Sequence, residues 1–341
     1  MQDVAETVAS VDTLPLPAAR GQTVAELLDT DSSCSVVFVQ RQRRGPPEGS
    51  GEMTQHDRAD AHDGPHRAGR ALIVTGGHPY DARAFREMID AVCDSLGWTW
   101  ALATQPEAQQ WLAPEHAGIW DAIVLYDMPG IQLARGQDPQ AVGPDARTRA
   151  AVTAMLQAGQ GIVVTHHALA AWPAWDGWAN AIGGRFLYTA GTLRGHSLLS
   201  SGYRMDRHHI TVLAPDHPVC DGVEDFDADD ELYACPVFED EVVPLLATSA
   251  NLGGAGFRST YEEVRFGGDD VPDCGDRPPA SRLVGWAKVA ERSPLVYLQP
   301  GHGPETMGHP QYRRLLANAM AWVASPAAHE SAAASPVPIE P

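Results

Sequence analysis

Between Arg70 and Ser325 the chain alternates short continuous apolar runs with segments of helical periodicity. ALIVTGG (71–77) is an apolar run ending in glycines, which predicts a central parallel strand. DARAFREMIDAVCDSLG follows as a helix, with Phe85, Ile89, Val92 and Leu96 on one face and Gly97 as its stop. WTWALAT (98–104), WDAIVLYDMPG (120–130) and GIVVTHHA (161–168) predict three more strands. The intervening PEAQQWLAPEHAG contains a short helix, and DARTRAAVTAMLQAGQG gives a helix ending at Gly159. Further strands are expected at 208–215, 242–248, 281–289 and 294–301, before YRRLLANAMAWVA closes the body as an apolar-striped helix. Strands alternating with helices predict an α/β sheet covered on both faces.

The pattern fades at both ends. Residues 1–69 are expected to be mostly disordered, apart from a strand-like piece, SCSVVFVQ (33–40), that could dock on the body. The run after it is rich in Gly, Pro, Asp and Arg and has too little apolar surface to offset its ordering entropy. The tail, 326–341, is low in complexity and is expected to be disordered as well. One α/β domain over 70–325 is left, with 249–280 as a long surface loop or small insertion.

Composition narrows the chemistry. The formal charge is -20, and 18 Arg+Lys stand against 31 Asp+Glu within 70–325, so the acidity belongs to the folded surface. Such a surface disfavours nucleic acid and anionic membranes as partners. No apolar stretch is long enough for a transmembrane helix, and the N-terminus lacks a signal-peptide pattern. Five widely spaced cysteines without C-x-x-C fit a reducing compartment, so a cytoplasmic protein is expected. Lys288 is the only lysine and hence the only candidate for a Schiff base. GGHPYD after the first strand is not a G-x-G-x-x-G turn, and a classical dinucleotide site is not expected.

Histidine is the informative residue. In doubly wound sheets, ligands gather beyond the carboxyl ends of the parallel strands. His78 follows VTGG, Asp127 follows VLY, His166 and His167 follow GIVVT, and His302 follows YLQPG. If the strands are parallel neighbours, these groups meet at one rim. The elbow after GIVVT carries histidines in place of Ser or Cys, which disfavours a serine or cysteine hydrolase. Two chemistries remain open: imidazoles and a carboxylate holding a divalent metal, or the same groups acting as general acid and base without one. One histidine of the adjacent pair is expected to support the other.

A second group lies farther along. His196 sits in LRGHS, His208-His209 begin a strand, and His217-Pro218 reads as a rigid turn. Asp230, Glu231 and Tyr233 form an acidic pair beside a tyrosine, suited either to positioning sugar hydroxyls or to a solvated acidic loop. Trp172, Trp175 and Trp178 recur at a spacing of three; two are read as packing, with Trp172 or Trp175 lining the cleft.

Taken together, VTGGHPYDARAF, VLYDMPG, GIVVTHHALAAWPAW, DHPV, DELY and YLQPGHG resemble the trehalose-utilisation (ThuA-like) family over roughly residues 70–325. The resemblance implies a flavodoxin-like, mostly parallel sheet similar to class I glutamine amidotransferases. It places His166-His167 where those enzymes carry their elbow cysteine, and His302 where they carry the catalytic histidine. Without the cysteine, glutamine hydrolysis by a thioester is not expected. It also implies a sugar or keto-sugar substrate and a sugar oxidoreductase as partner; a homo-oligomer is a separate expectation.

The resulting expectation is a carbohydrate enzyme working by enolisation, isomerisation or elimination. His166, His167, His302 and Glu231 would be its catalytic groups and the ligands of a divalent metal, zinc or manganese. His78, Tyr126, Asp127, Trp172, His196 and Tyr233 would contact substrate. The alternatives are a non-catalytic sugar-binding or regulatory protein and a metal-dependent hydrolase.

Overall fold

The computed structural model describes residues 37–39, 68–132, 140–260 and 275–340. Its strands are β1 (Val37–Val39), β2 (Arg70–Gly76), β3 (Thr99–Thr104), β4 (Ala122–Asp127), β5 (Ile131–Gln132), β6 (Gln140–Ala141) and β7 (Ile162–Thr165). They continue with β8 (Gly191–Leu193), β9 (His196–Leu198), β10 (Gly202–Val212), β11 (Phe226–Ala234), β12 (Val243–Thr248), β13 (Leu283–Ala290) and β14 (Ser293–Leu298). The helices are α1 (Ala82–Leu96), α2 (Ala146–Gln157), α3 (Asp176–Ile182), α4 (Pro304–Gly308), α5 (Pro310–Val323) and α6 (Pro326–Ala334).

Ten strands form one sheet in the order β1-β3-β2-β4-β7-β14-β13-β12-β10-β11. The run β3-β2-β4-β7-β14 is parallel. Counted along the chain it has the 2-1-3-4-5 order of flavodoxin-like sheets. Every other neighbour in the sheet is antiparallel. The sheet is therefore mixed, which corrects the expectation of a mostly parallel one. Short connections such as Glu291-Arg292 between β13 and β14 permit only an antiparallel return.

Strand alternation divides the core. Ile73, Val124, Val163 and Val296 face α1 and α5, where they pack against Phe85, Ile89, Leu315 and Met320. Each such side chain contributes roughly 1.5–3 kcal/mol on burial. Trp286 of β13 donates Nε1–H to the Ile182 carbonyl of α3, and Ser293 Oγ donates to the Leu156 carbonyl of α2. α1 begins at Asp81, whose side chain accepts from the Arg83 and Ala84 amides, and ends at Gly97 with φ 66°.

Two segments differ from expectation. FDADDELYA is a nine-residue strand, β11, and not an acidic loop. The C-terminal tail is folded: Ser325 caps α6, Ala328 and Ala332 are buried, and Val337 exchanges backbone hydrogen bonds with Glu291. Its end is tied down by Glu340, which accepts the Trp175 Nε1–H at 2.6 Å. An alanine-rich sequence looks featureless, yet it is a strong helix former once capped. At the other end, Val37–Val39 pairs antiparallel with β3, while residues 1–36 and 40–67 lie outside the described residues. So do 261–274, within the stretch expected to be a surface loop. Among the described residues no helix is long and apolar enough to cross a membrane.

Candidate functional site

The parallel strands deliver three of their carboxyl ends to one place. His78 follows β2, His166 and His167 follow β7, and His302 follows β14. Their four rings make one cluster: His78 stacks on His167 at 4.4 Å, His166 lies 5.2 Å from His302, and His78 lies 6.3 Å from His302. β11 adds Glu231 and Tyr233 to the same cluster.

The centre is compact. His166 Nε2 is 3.1 Å from His302 Nδ1 and 3.3 Å from Glu231 Oε2, and His302 Nδ1 is 3.5 Å from the same carboxylate oxygen. Among the described residues this is the one group of three side chains arranged to hold a metal ion. The spacing fits that use. A tetrahedral ion with bonds of about 2.0–2.1 Å needs donor atoms about 3.3–3.4 Å apart, and two His plus one carboxylate is a donor set seen with an open fourth position.

His166 is built for this place. It is fully buried and takes φ 50°, a left-handed conformation that costs a non-glycine residue energy and turns the ring off the strand. Its backbone carbonyl accepts from Tyr297 Oη at 3.1 Å. Its Nδ1 lies 2.8 Å from the Gln299 carbonyl, an acceptor only, so Nδ1 carries a proton and Nε2 is the atom presented to the cluster. Burial disfavours a charge on His166, but Glu231 and then Asp230 outweigh it and hold its pKa above the usual histidine value. For Glu231, burial pushes upward and the two imidazoles reverse the sign. Tyr233 Oη lies 3.0 Å from His166 Nε2; burial and the neighbouring Glu231 carboxylate keep this phenol protonated.

The adjacent histidines part company. The His167 ring turns from the donor triad toward Tyr126, at 4.3 Å, and His78. Neither of its nitrogens makes a hydrogen bond of ordinary geometry. Burial, then the neighbouring His166 and His78, keeps it neutral well below the usual pKa. His167 therefore lies outside the donor triad, because consecutive residues at the elbow diverge. His78 is half-buried, and its Nδ1 is engaged by the Pro79 carbonyl at 2.6 Å. Burial and then His166 lower its pKa, so it too is neutral at pH 7.

Other expected residues lie elsewhere. Tyr126 packs beside His167 and donates its hydroxyl to the Gly301 carbonyl at 3.0 Å. Asp127, its neighbour in β4, projects to the other face and accepts from Gln105 Nε2 at 2.7 Å. His196 is exposed just past the Arg194-Gly195 hairpin turn, where both residues have positive φ, and is not brought to the triad. Trp172 is 2% exposed and packs on Trp175 and Trp178, so it forms no open stacking platform. Lys288 is buried and bonded to Glu241 Oε2 at 3.0 Å. His217 caps the turn at Pro218–Cys220, as its Pro neighbour suggested. Sequence reasoning passed over Tyr297 and Gln299, whose only signal was their place in the strand leading to His302.

Burial pushes the Asp127 carboxyl up to about 7. Between the ordinary value of 3.8 and about 7 the folded chain holds a proton that the unfolded chain has released, so stability falls as pH rises through this window. Each pH unit there is worth about 1.4 kcal/mol at most. Asp127→Asn removes the ionisation and should gain on the wild type from pH 4 to pH 7, reaching between about 1 and 4 kcal/mol at pH 8. Urea unfolding at pH 5 and pH 8 reads this; an equal difference at both would contradict it.

Fold and site define an α/β protein with a mixed ten-stranded sheet and a His-His-Glu donor cluster at the carboxyl rim of its parallel half. The family model described as ThuA, trehalose utilisation, matches residues 69–323, and the chain belongs to this family. The fold is similar to the crystal structure of a ThuA-like protein from Bacteroides uniformis, with TM-score 0.50 and 21% identity over 77% of this chain and 95% of that one. It is also similar to that of a ThuA-like protein from Parabacteroides merdae, with TM-score 0.53 and 13% identity over 76% and 91%. No curated protein matches the chain.

Proposed function

We propose that this protein is a metal-dependent enzyme that moves a proton on a sugar or keto sugar, by enolisation, isomerisation or elimination. The observation that carries the reading is the convergence of His166 Nε2, His302 Nδ1 and Glu231 Oε2 within 3.1–3.5 Å of one another. These three residues would hold zinc or manganese. Such an ion supplies Lewis acidity toward a carbonyl or hydroxyl oxygen. The remaining roles belong to the chain. Gln299 fixes the His166 ring through Nδ1, and Tyr233 holds a hydroxyl proton beside Nε2. His78, neutral and half-buried beside the triad, is the group placed to take a proton from substrate, with His167 as the face on which it stacks. Asp127, Trp172 and His196 have no part in this step.

The family description, trehalose utilisation, supports a sugar-related substrate. Proton abstraction needs an acidified C–H, which a sugar acquires once one hydroxyl is oxidised to a ketone. A sugar oxidoreductase is therefore the class of enzyme that would supply the substrate. The elbow position of His166, with φ 50°, supports a kinship of form with class I glutamine amidotransferases, minus the thiol chemistry.

The test is solvent exchange. A keto disaccharide incubated with the protein in D2O should lose its α C–H signal in the proton NMR spectrum. Chelation should stop the loss, and Zn2+ or Mn2+ should restore it. Binding without exchange or turnover would make the protein a sugar-binding module instead. Labelled solvent oxygen in a cleaved product would make it a hydrolase.

A further inference from the structure

We infer that Asp230 is the positioning residue of the metal site, fixing the spacing of its two imidazoles through the Gly301–His302 peptide. The inference rests on the metal reading above.

Asp230 and Glu231 are neighbours on β11, and successive strand side chains point to opposite sides. Glu231 reaches the imidazoles. Asp230, fully buried, turns to the segment after β14: Oδ2 accepts the Gly301 amide at 2.6 Å and Oδ1 accepts the His302 amide at 2.9 Å. Oδ1 also accepts the Glu231 amide at 2.9 Å. A buried carboxylate is expensive unless it is well hydrogen-bonded, and here three backbone N–H groups meet that need. The same peptide is gripped from the other side, where Tyr126 Oη donates to the Gly301 carbonyl at 3.0 Å.

The consequence is geometric. Segment 299–302 touches both imidazoles: the Gln299 carbonyl accepts from His166 Nδ1, and His302 is carried by the segment itself. Anchoring that segment sets the 3.1 Å separation of His166 Nε2 and His302 Nδ1. The adjacent acid pair thus serves one ion in two ways, one carboxylate as ligand and the other as anchor for a partner ligand.

The test uses the full chain and metal alone. Zn2+ is titrated calorimetrically into the wild type, His302→Ala, Asp230→Asn and Tyr126→Phe, and Co2+ absorption reports site geometry. Asp230→Asn keeps the shape but sets an amide NH2 against one of the N–H donors. We expect its Zn2+ affinity to fall by roughly 10–100-fold, the usual effect of losing a residue that orients a ligand. Its Co2+ bands should also change in intensity. Tyr126→Phe should lose affinity in the same direction and by less. A folded Asp230→Asn with wild-type Zn2+ affinity and an unchanged Co2+ spectrum would overturn the inference and leave the metal reading standing, provided His302→Ala has lost binding. A wild type that takes up no Zn2+ would overturn both. If Asp230→Asn does not fold, Tyr126→Phe decides: weakened binding supports the anchor, and wild-type binding removes it.

Discussion

Replacing His166 with alanine is expected to abolish stoichiometric Zn2+ binding while leaving the fold in place. The imidazole supplies one of three donor atoms, and the other two cannot close a site without it. Its removal also unmakes the hydrogen bond to the Gln299 carbonyl and leaves a cavity beside Tyr233 and His302. Alanine keeps a Cβ at φ 50°, so the backbone strain is not relieved, and the buried Glu231 loses one of the two imidazoles that hold its pKa down. We therefore expect a lower Tm, a loss of Zn2+ affinity of at least about 100-fold, and no measurable exchange activity. Metal analysis after gel filtration reads the first loss. Retention of one ion per chain would place the metal elsewhere.

Gly301→Ala should be strongly destabilising although it alters no side chain of the candidate site. Gly301 has φ 126°, a region closed to residues with a Cβ, and an added Cβ would lie 2.5 Å from Tyr312 Oη. Tyr312 is fully buried in α5, and its hydroxyl has no hydrogen-bond partner to swing toward. Backbone strain of this kind costs about 1–3 kcal/mol, and the clash adds to it, so a loss on the order of 2–4 kcal/mol is expected. His302 follows directly, so Zn2+ affinity should fall with stability. Pairing Gly301→Ala with Tyr312→Phe should recover the part due to the clash and none of the part due to φ. Urea denaturation of the four combinations separates the two. An unaltered unfolding midpoint for Gly301→Ala would refute this account of the turn.

Much of the site was legible because strand ends in a parallel sheet share a rim. The apolar runs before His78, His166 and His302 marked buried strands, and their order in space needed only that they be parallel neighbours. Side-chain direction was less accessible. Nothing in T-H-H-A says which imidazole turns inward; that depends on the positive φ at His166 and on the Gln299 carbonyl that receives it. β11 was obscured by its own function. Asp and Glu are poor strand residues, so FDADDELYA reads as a loop until Phe226 and Ala228 are seen to be buried and Asp230 to anchor another segment. Asp127 ends its strand at the same rim, but its side chain turns to Gln105, while Tyr126, one residue before it, meets the cluster. The tail misled through composition: Ser325 and Pro326 announce a helix start that low complexity concealed.

The proposed function depends on one divalent ion held between His166, Glu231 and His302. Anomalous diffraction at the zinc edge, on crystals of wild-type protein equilibrated with Zn2+, tests it most directly. We predict one dominant peak bonded to His166 Nε2, His302 Nδ1 and Glu231 Oε2 at about 2.0–2.2 Å. A map with its strongest peak at any other place, or with none among these three residues, would contradict the account.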